Sequence, residues 1–244
     1  MASQKRKKIT GFALAVVLLL AVAGCIWYVN DYYHSDASAA DFLADSGQVM
    51  VKQTETGLLF DGAGISTALI FYPGAKVEET AYAPLIYQIA EGGTDCFLVQ
   101  MPFHLAILGK NKAADVINTY SYEHWYIAGH SLGGAMAASF ASSHAEQLEG
   151  LILLAAYGTE SISDTNLLVL SLYGSEDQVL NRAKLEAGRE LMPQNYTEIC
   201  IEGGNHAWFG NYGEQDGDGT AKISREEQQK QTVDAILSLI TEKQ

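Results

Sequence analysis

The segment Gly129-His130-Ser131-Leu132-Gly133-Gly134 constrains this chain more than any other, because it stands between the apolar run Trp125-Tyr126-Ile127-Ala128 and the small-residue run Ala135 to Ala141. Strand, sharp turn and helix follow one another there. In a Gly-x-Ser-x-Gly turn of this kind the serine hydroxyl is lifted out of the backbone into a cleft, and the flanking glycines remove the Cβ atoms that would collide. Ser131 is therefore a candidate nucleophile. A serine hydroxyl attacks poorly near neutral pH, so the reading requires a histidine base and a carboxylate that holds its tautomer.

Both residue types occur downstream, each in a turn just past a strand. Leu167 to Tyr173 reads as a buried strand running into Gly174-Ser175-Glu176-Asp177, where Asp177 is the candidate acid and Glu176 the neighbouring alternative. Tyr196 to Ile201 reads as a further strand leading to Glu202-Gly203-Gly204-Asn205-His206, and His206 is the candidate base. In open α/β sheets ligands collect outside the carboxyl ends of the strands, and all three residues fall on that edge. Of the other histidines, His34 and His144 read as solvent-exposed and His124 precedes a strand. His130 inside the turn and His104, which follows the strand Cys96 to Gln100, are candidates for lining the pocket, together with Gly74 and Trp208.

A tetrahedral intermediate also needs backbone donors aimed at its oxyanion. The turn itself offers the Leu132 N–H. A second donor is expected from the loop after the strand Ala68 to Tyr72, which reads Pro73-Gly74-Ala75-Lys76. Pro73 has no N–H to give, and Gly74 permits close approach of the backbone. Ala75 N–H is the expected donor, with Gly74 and Lys76 as alternatives.

At these positions the chain resembles the α/β-hydrolases, and more narrowly the small bacterial hydrolases grouped as the α/β-hydrolase family 5 domain. The matching stretches are Tyr72-Pro-Gly-Ala-Lys-Val, Gly129-His-Ser-Leu-Gly-Gly, Tyr173-Gly-Ser-Glu-Asp and the run from Glu202 to Gly213, spread over Leu58 to the C-terminus. The resemblance implies a Ser131, Asp177, His206 triad on a mostly parallel sheet. It implies little about the substrate, because esterases, lipases, thioesterases, dienelactone hydrolases and non-catalytic members share the fold.

Strands alternating with helices argue an α/β fold, a mostly parallel sheet with helices on both faces. The expected helices are Ala81 to Glu91, Lys110 to Tyr120, the one after Ser131, Arg182 to Leu191 and Ser224 to Thr241, and Ala37 to Leu43 reads as a short one. Between Ala156 and Asn166 there is no room for a large cap. Cys96 and Cys200 read as buried residues of core strands, not as a disulfide or metal pair. Asp216-Gly217-Asp218-Gly219 resembles a fragment of a calcium loop, but it lacks the spacing and terminal glutamate of an EF-hand, so a structural turn is expected. No metal site and no cofactor is expected.

The N-terminus differs from the rest. Lys5-Arg6-Lys7-Lys8 precedes an uncharged apolar run from Ile9 to Val29, close to the 20 or so apolar residues that span a membrane. Basic residues stay cytoplasmic, so the remainder is expected outside the membrane. A rival reading is a bacterial lipoprotein box, Val22-Ala23-Gly24-Cys25, with acylation at Cys25; the apolar continuation Ile26-Trp27-Tyr28-Val29 argues against it. The expected organisation is a basic segment 1–8, an anchor or signal segment 9–29, a polar linker 30–57 and a hydrolase domain 58–244. Four of the 15 basic residues lie in 5–8, leaving 11 against all 29 acidic residues beyond the anchor. Such a surface repels polyanions, which excludes nucleic acid as an expected partner and favours a neutral or cationic substrate. The expectation is a membrane-tethered extracytoplasmic serine hydrolase acting on a small acyl ester. The alternatives are a non-catalytic binding protein that keeps the fold and an acyltransferase or thioesterase on the same triad.

Overall fold

The computed structural model describes the backbone of residues 2–45 and 47–241, and within them the side chains from residue 14 onward. It divides into two units, Met1–Tyr32 and Tyr33–Gln244. The first is one helix, α1 (Ala2–Asn30). Its side chains Leu14, Leu18, Leu19, Leu20 and Trp27 are each well over half exposed. Among the described residues no helix is long and apolar enough to cross a membrane. The span expected from Ile9 to Val29 is therefore not found as a membrane-crossing helix, and the side chains of Ile9 to Ala13 lie outside the described residues.

The second unit is built on eight strands: β1 (Met50–Gln53), β2 (Gly57–Asp61), β3 (Thr67–Tyr72), β4 (Asp95–Val99), β5 (His124–His130), β6 (Gly150–Leu154), β7 (Leu168–Gly174) and β8 (Tyr196–Ile201). Their order in the sheet is β1-β2-β4-β3-β5-β6-β7-β8. From β4 to β8 every pairing is parallel, while β1 and β2 join antiparallel. β1 corrects the sequence reading, which took 30–57 for a polar linker. Its alternation is weak because it is an edge strand with three of four residues exposed.

The helices are α2 (Ala83–Glu91), α3 (Lys112–Thr119), α4 (Leu132–Ser143), α5 (Arg182–Gly188) and α6 (Arg225–Thr241). Ala37–Leu43 is a 3-10 turn, opened by Asp36 accepting from Ser38 N–H. The central strands are buried at nearly every position, with Thr67, Asp95, His130 and Ser171 as buried polar exceptions to an otherwise largely apolar composition, and successive side chains enter opposite cores. Leu69, Phe71, Ala128, Ile152 and Leu172 pack with Leu85, Ile86 and Ile89 of α2 and Val233, Ile236 and Ile240 of α6. Ala68, Ile70, Ile127, Leu151 and Val169 pack with Val116 of α3 and Ala137, Phe140 and Ala141 of α4. A parallel sheet covered on both faces has this pattern of near-continuous apolar strands. Cys96 lies in the core, but Cys200 is exposed, because β8 is an edge strand with only its last residue fully buried. Residues 156–166 form turns without a helix, so no cap covers the carboxyl edge at that point.

Candidate active site

Ser131 sits between β5 and α4 with φ 52° and ψ −122°. A non-glycine residue in that region costs on the order of 1–3 kcal/mol and persists only where the surroundings enforce it. They do so here. Ser131 N–H donates to the Leu154 carbonyl of β6 at 2.9 Å, and a Cβ at Gly133 would collide with the carbonyl oxygens of Tyr72 and Pro73. The start of α4 is thereby pressed onto the end of β3.

Asp177 lies in the turn after β7 and is buried. Its Oδ1 accepts the N–H groups of Val179 and Leu180 at 2.9 and 2.8 Å. Its Oδ2 lies 2.9 Å from His206 Nδ1, so the ionised carboxylate accepts and Nδ1 carries the hydrogen. That places the lone pair of the neutral ring on Nε2, which is buried without a hydrogen-bond partner. Glu176 faces elsewhere: its Oε1 is held by Lys222 Nζ at 2.8 Å, and this bond keeps its carboxyl below its ordinary range.

The loop after β8 that carries His206 is bolted to α6. Gln228, fully buried, accepts from Asn205 N–H at 2.9 Å and donates to the Asn205 carbonyl at 2.8 Å. Asp218 ties this loop to that of Asp177, accepting Ala207 N–H at 2.9 Å through Oδ2 and Gln178 N–H at 3.3 Å through Oδ1. The Asp216 to Gly219 turn is thus a clasp between the two loops. Gln228, an amide on an amphipathic helix, carries no sequence signal, and Asp218 lies in the turn that reads from sequence as structural.

Ser131 and His206 line one cleft of about 240 Å³, with Ala135, Ala155, Ala156 and Leu180 among its walls. Its wall also includes Leu132, at the first position of α4, where backbone N–H groups have no partner within the helix. In the loop after β3, Gly74 N–H donates to Tyr82 Oη at 3.1 Å and Lys76 N–H to the His104 carbonyl at 2.8 Å. Ala75 N–H, between them, has no acceptor among the described residues.

Four residues expected to line the pocket do not line this cleft: Gly74, His104, His130 and Trp208. His130 is buried beneath it, bonded to Tyr82 and to the His206 carbonyl. His104 braces the Lys76 loop, its Nδ1 3.8 Å from Glu79 Oε2. Gly74 closes against Tyr82 and His130. Trp208 packs against the core under α2 and α6. Sequence placed them on the correct edge, but the side on which each side chain falls depends on tertiary contacts. Among the described residues no three His, Cys, Asp or Glu side chains gather as a metal site requires.

Comparison with known proteins agrees with this geometry at the level of the fold. The structure is similar to a predicted CIB-like hydrolase from Thermoplasma acidophilum, with TM-score 0.54 and 17% identity over 78% of this chain and 98% of the other. It is similar to TT1662 from Thermus thermophilus, with TM-score 0.57 and 13% identity over 80% and 98%. It is also similar to mouse alpha/beta hydrolase domain-containing protein 10, with TM-score 0.58 and 11% identity over 81% and 100%. No curated protein sequence matches. The profile of the Alpha/beta hydrolase family matches residues 68–230, more than half of the sequence and all of the elements that carry Ser131, Asp177 and His206. The chain belongs to the alpha/beta hydrolase family.

Proposed function

We propose that this chain is a serine hydrolase cleaving a small ester-type acyl bond, held at the outer face of a membrane by its N-terminal segment. The observation that carries the chemistry is His206: Nδ1–H is anchored on a buried carboxylate, and the unpartnered Nε2 shares a cleft with Ser131. Ser131 Oγ attacks the carbonyl carbon while His206 Nε2 takes its proton. Asp177 holds the tautomer and stabilises the imidazolium. The N–H groups of Leu132 and Ala75 receive the oxyanion. Collapse expels the alcohol, protonated by His206, and water then releases the acid by the same steps in reverse. A cleft near 240 Å³ falls below the roughly 300–1,000 Å³ of sites for drug-sized ligands, which favours short acyl chains. The tether rests on the complete run from Ile9 to Val29 behind Lys5 to Lys8, since the described part of α1 is not by itself long and apolar enough to cross a membrane.

The test is labelling by a fluorophosphonate, followed by turnover of acyl esters of graded chain length. The expected result is labelling of the wild type, none of Ser131→Ala, and faster turnover of short than of long acyl chains. Retained labelling of Ser131→Ala would overturn the assignment of the nucleophile. An unlabelled, folded wild type would favour a binding protein.

A further inference from the structure

A buried chain of hydrogen bonds joins the two sides of the cleft beneath Ser131. Gly74 N–H donates to Tyr82 Oη at 3.1 Å, Tyr82 Oη lies 2.8 Å from His130 Nδ1, and His130 Nε2 lies 3.0 Å from the His206 carbonyl. Tyr82 and His130 are almost wholly inaccessible to solvent.

The direction of every bond follows from the donor inventory. A carbonyl oxygen only accepts, so His130 Nε2 carries a hydrogen. Burial, reinforced by the neighbouring His206, pushes the His130 pKa well below its ordinary value, so the ring is neutral and its Nδ1 is bare. Nδ1 therefore accepts the Tyr82 hydroxyl hydrogen, and the phenol oxygen accepts from Gly74. Each ring nitrogen of His130 thus has one role and one partner, and the Tyr82 hydroxyl donates to one group and accepts from another.

We propose that Tyr82 and His130 are a positioning pair for the hydrolase reaction, setting the oxyanion loop 73–76 and the backbone of His206 against one another. The proposal rests on the hydrolase reading above. Gly74 precedes Ala75, His130 precedes Ser131, and the acceptor at the far end is the main chain of His206 itself, so one line of bonds indexes donor, nucleophile and base together. With Gly74 N–H tied to Tyr82 and Lys76 N–H tied to the His104 carbonyl, Ala75 N–H is left as the loop's donor to an oxyanion. The pair also keeps charge away from the base. The rings of His130 and His206 are 4.6 Å apart, and a cation on His130 would oppose the imidazolium that forms on His206.

The first measurement needs no variant. Long-range ¹H–¹⁵N correlation on the full-length protein labelled in histidine is expected to show His130 as the neutral Nε2–H tautomer from roughly pH 5 to 8, the interval over which an ordinary histidine titrates. A protonated ring or the Nδ1–H tautomer would overturn the proposal. The second measurement is Tyr82→Phe, which removes the link while keeping the ring. The expected result is a fall of about tenfold or more in kcat and in the rate of fluorophosphonate labelling, short of the roughly 10²–10³-fold cost of losing an oxyanion donor outright. KM is expected to stay within about twofold, as for an interaction made in the transition state alone. A folded Tyr82→Phe with kcat near that of the wild type would overturn the proposal and leave the hydrolase reading intact. A folded wild type that takes no fluorophosphonate would overturn both.

Discussion

Ser131 is both a strained residue of the site and the one on which the proposed chemistry depends. Its φ of 52° is a conformation that glycine adopts without penalty, so Ser131→Gly is expected to abolish labelling while melting at a higher temperature than Ser131→Ala, which keeps the Cβ and the strain. Thermal unfolding of the two variants decides it, and equal melting temperatures would mean that the strain is no larger than the extra chain entropy glycine loses on folding. The choice of acid is equally local. Because His206 Nδ1 bonds Asp177 and Glu176 bonds Lys222, Asp177→Asn is expected to lower kcat by several orders of magnitude, about 10⁴ in the best-studied triad. Glu176→Gln is expected to stay near the wild type. The reverse ranking from steady-state kinetics would move the acid to Glu176.

At the scale of elements, the weak point is β8, an edge strand that must nevertheless hold the loop carrying His206. Glu198 on β8 is bonded by Arg189 Nε and Nη2 at 2.8 and 2.6 Å, by Tyr173 of β7 at 2.9 Å and by Tyr196 at 2.7 Å. The Arg189 bonds, then those of Tyr196 and Tyr173, hold the Glu198 carboxyl down to about 2 from an ordinary 4.5. A carboxyl depressed in the folded state contributes stability that is complete above its unfolded pKa and is lost as pH falls through the folded one. Glu198→Gln is therefore expected to lower the melting temperature at pH 7, and the gap to the wild type is expected to close as pH falls from 4.5 towards 2. A gap independent of pH would show that the ion pair contributes nothing, the ordinary outcome for pairs as exposed as Arg189. The clasp at Asp218 belongs to the same scale. Asp218→Ala frees Gln178 N–H and Ala207 N–H at once, and the expected result is a fall in kcat with labelling still confined to Ser131, read by mass spectrometry of the labelled peptide.

For the whole molecule, the compact unit Tyr33–Gln244 contains the complete sheet and both cores. Deleting residues 1–32 is expected to leave ester turnover and thermal stability close to those of the full chain, and a fragment that fails to fold would show that α1 is part of the domain's stability. The chemistry of the N-terminus is a separate matter. Under the proposed tether Cys25→Ser leaves the protein full length and associated with membranes, and the intact mass of the detergent-extracted wild type is that of the uncleaved chain. A species beginning at an acylated Cys25 would instead establish the lipoprotein form. Either way, the excess of 29 acidic over 11 basic residues beyond Lys8 leaves a surface that repels polyanions.

What the sequence determined by itself is what short-range chemistry controls. The glycines around Ser131, the turns after two apolar strands and the alternation of apolar runs with amphipathic helices are local signals. They place Ser131, Asp177 and His206 on one edge of a parallel sheet before any contact is known. Tertiary structure alone decided where those residues point and what holds them. His130 meets Tyr82 and the His206 carbonyl across 48 and 76 positions of chain, Gln228 reaches back 23 positions to Asn205, and β1 and β8 close the sheet as exposed edges. Periodicity records which side chains share a face. It does not record which distant element lies against that face, and so His104, His130 and Gly74, read as pocket walls, became the supports behind the wall.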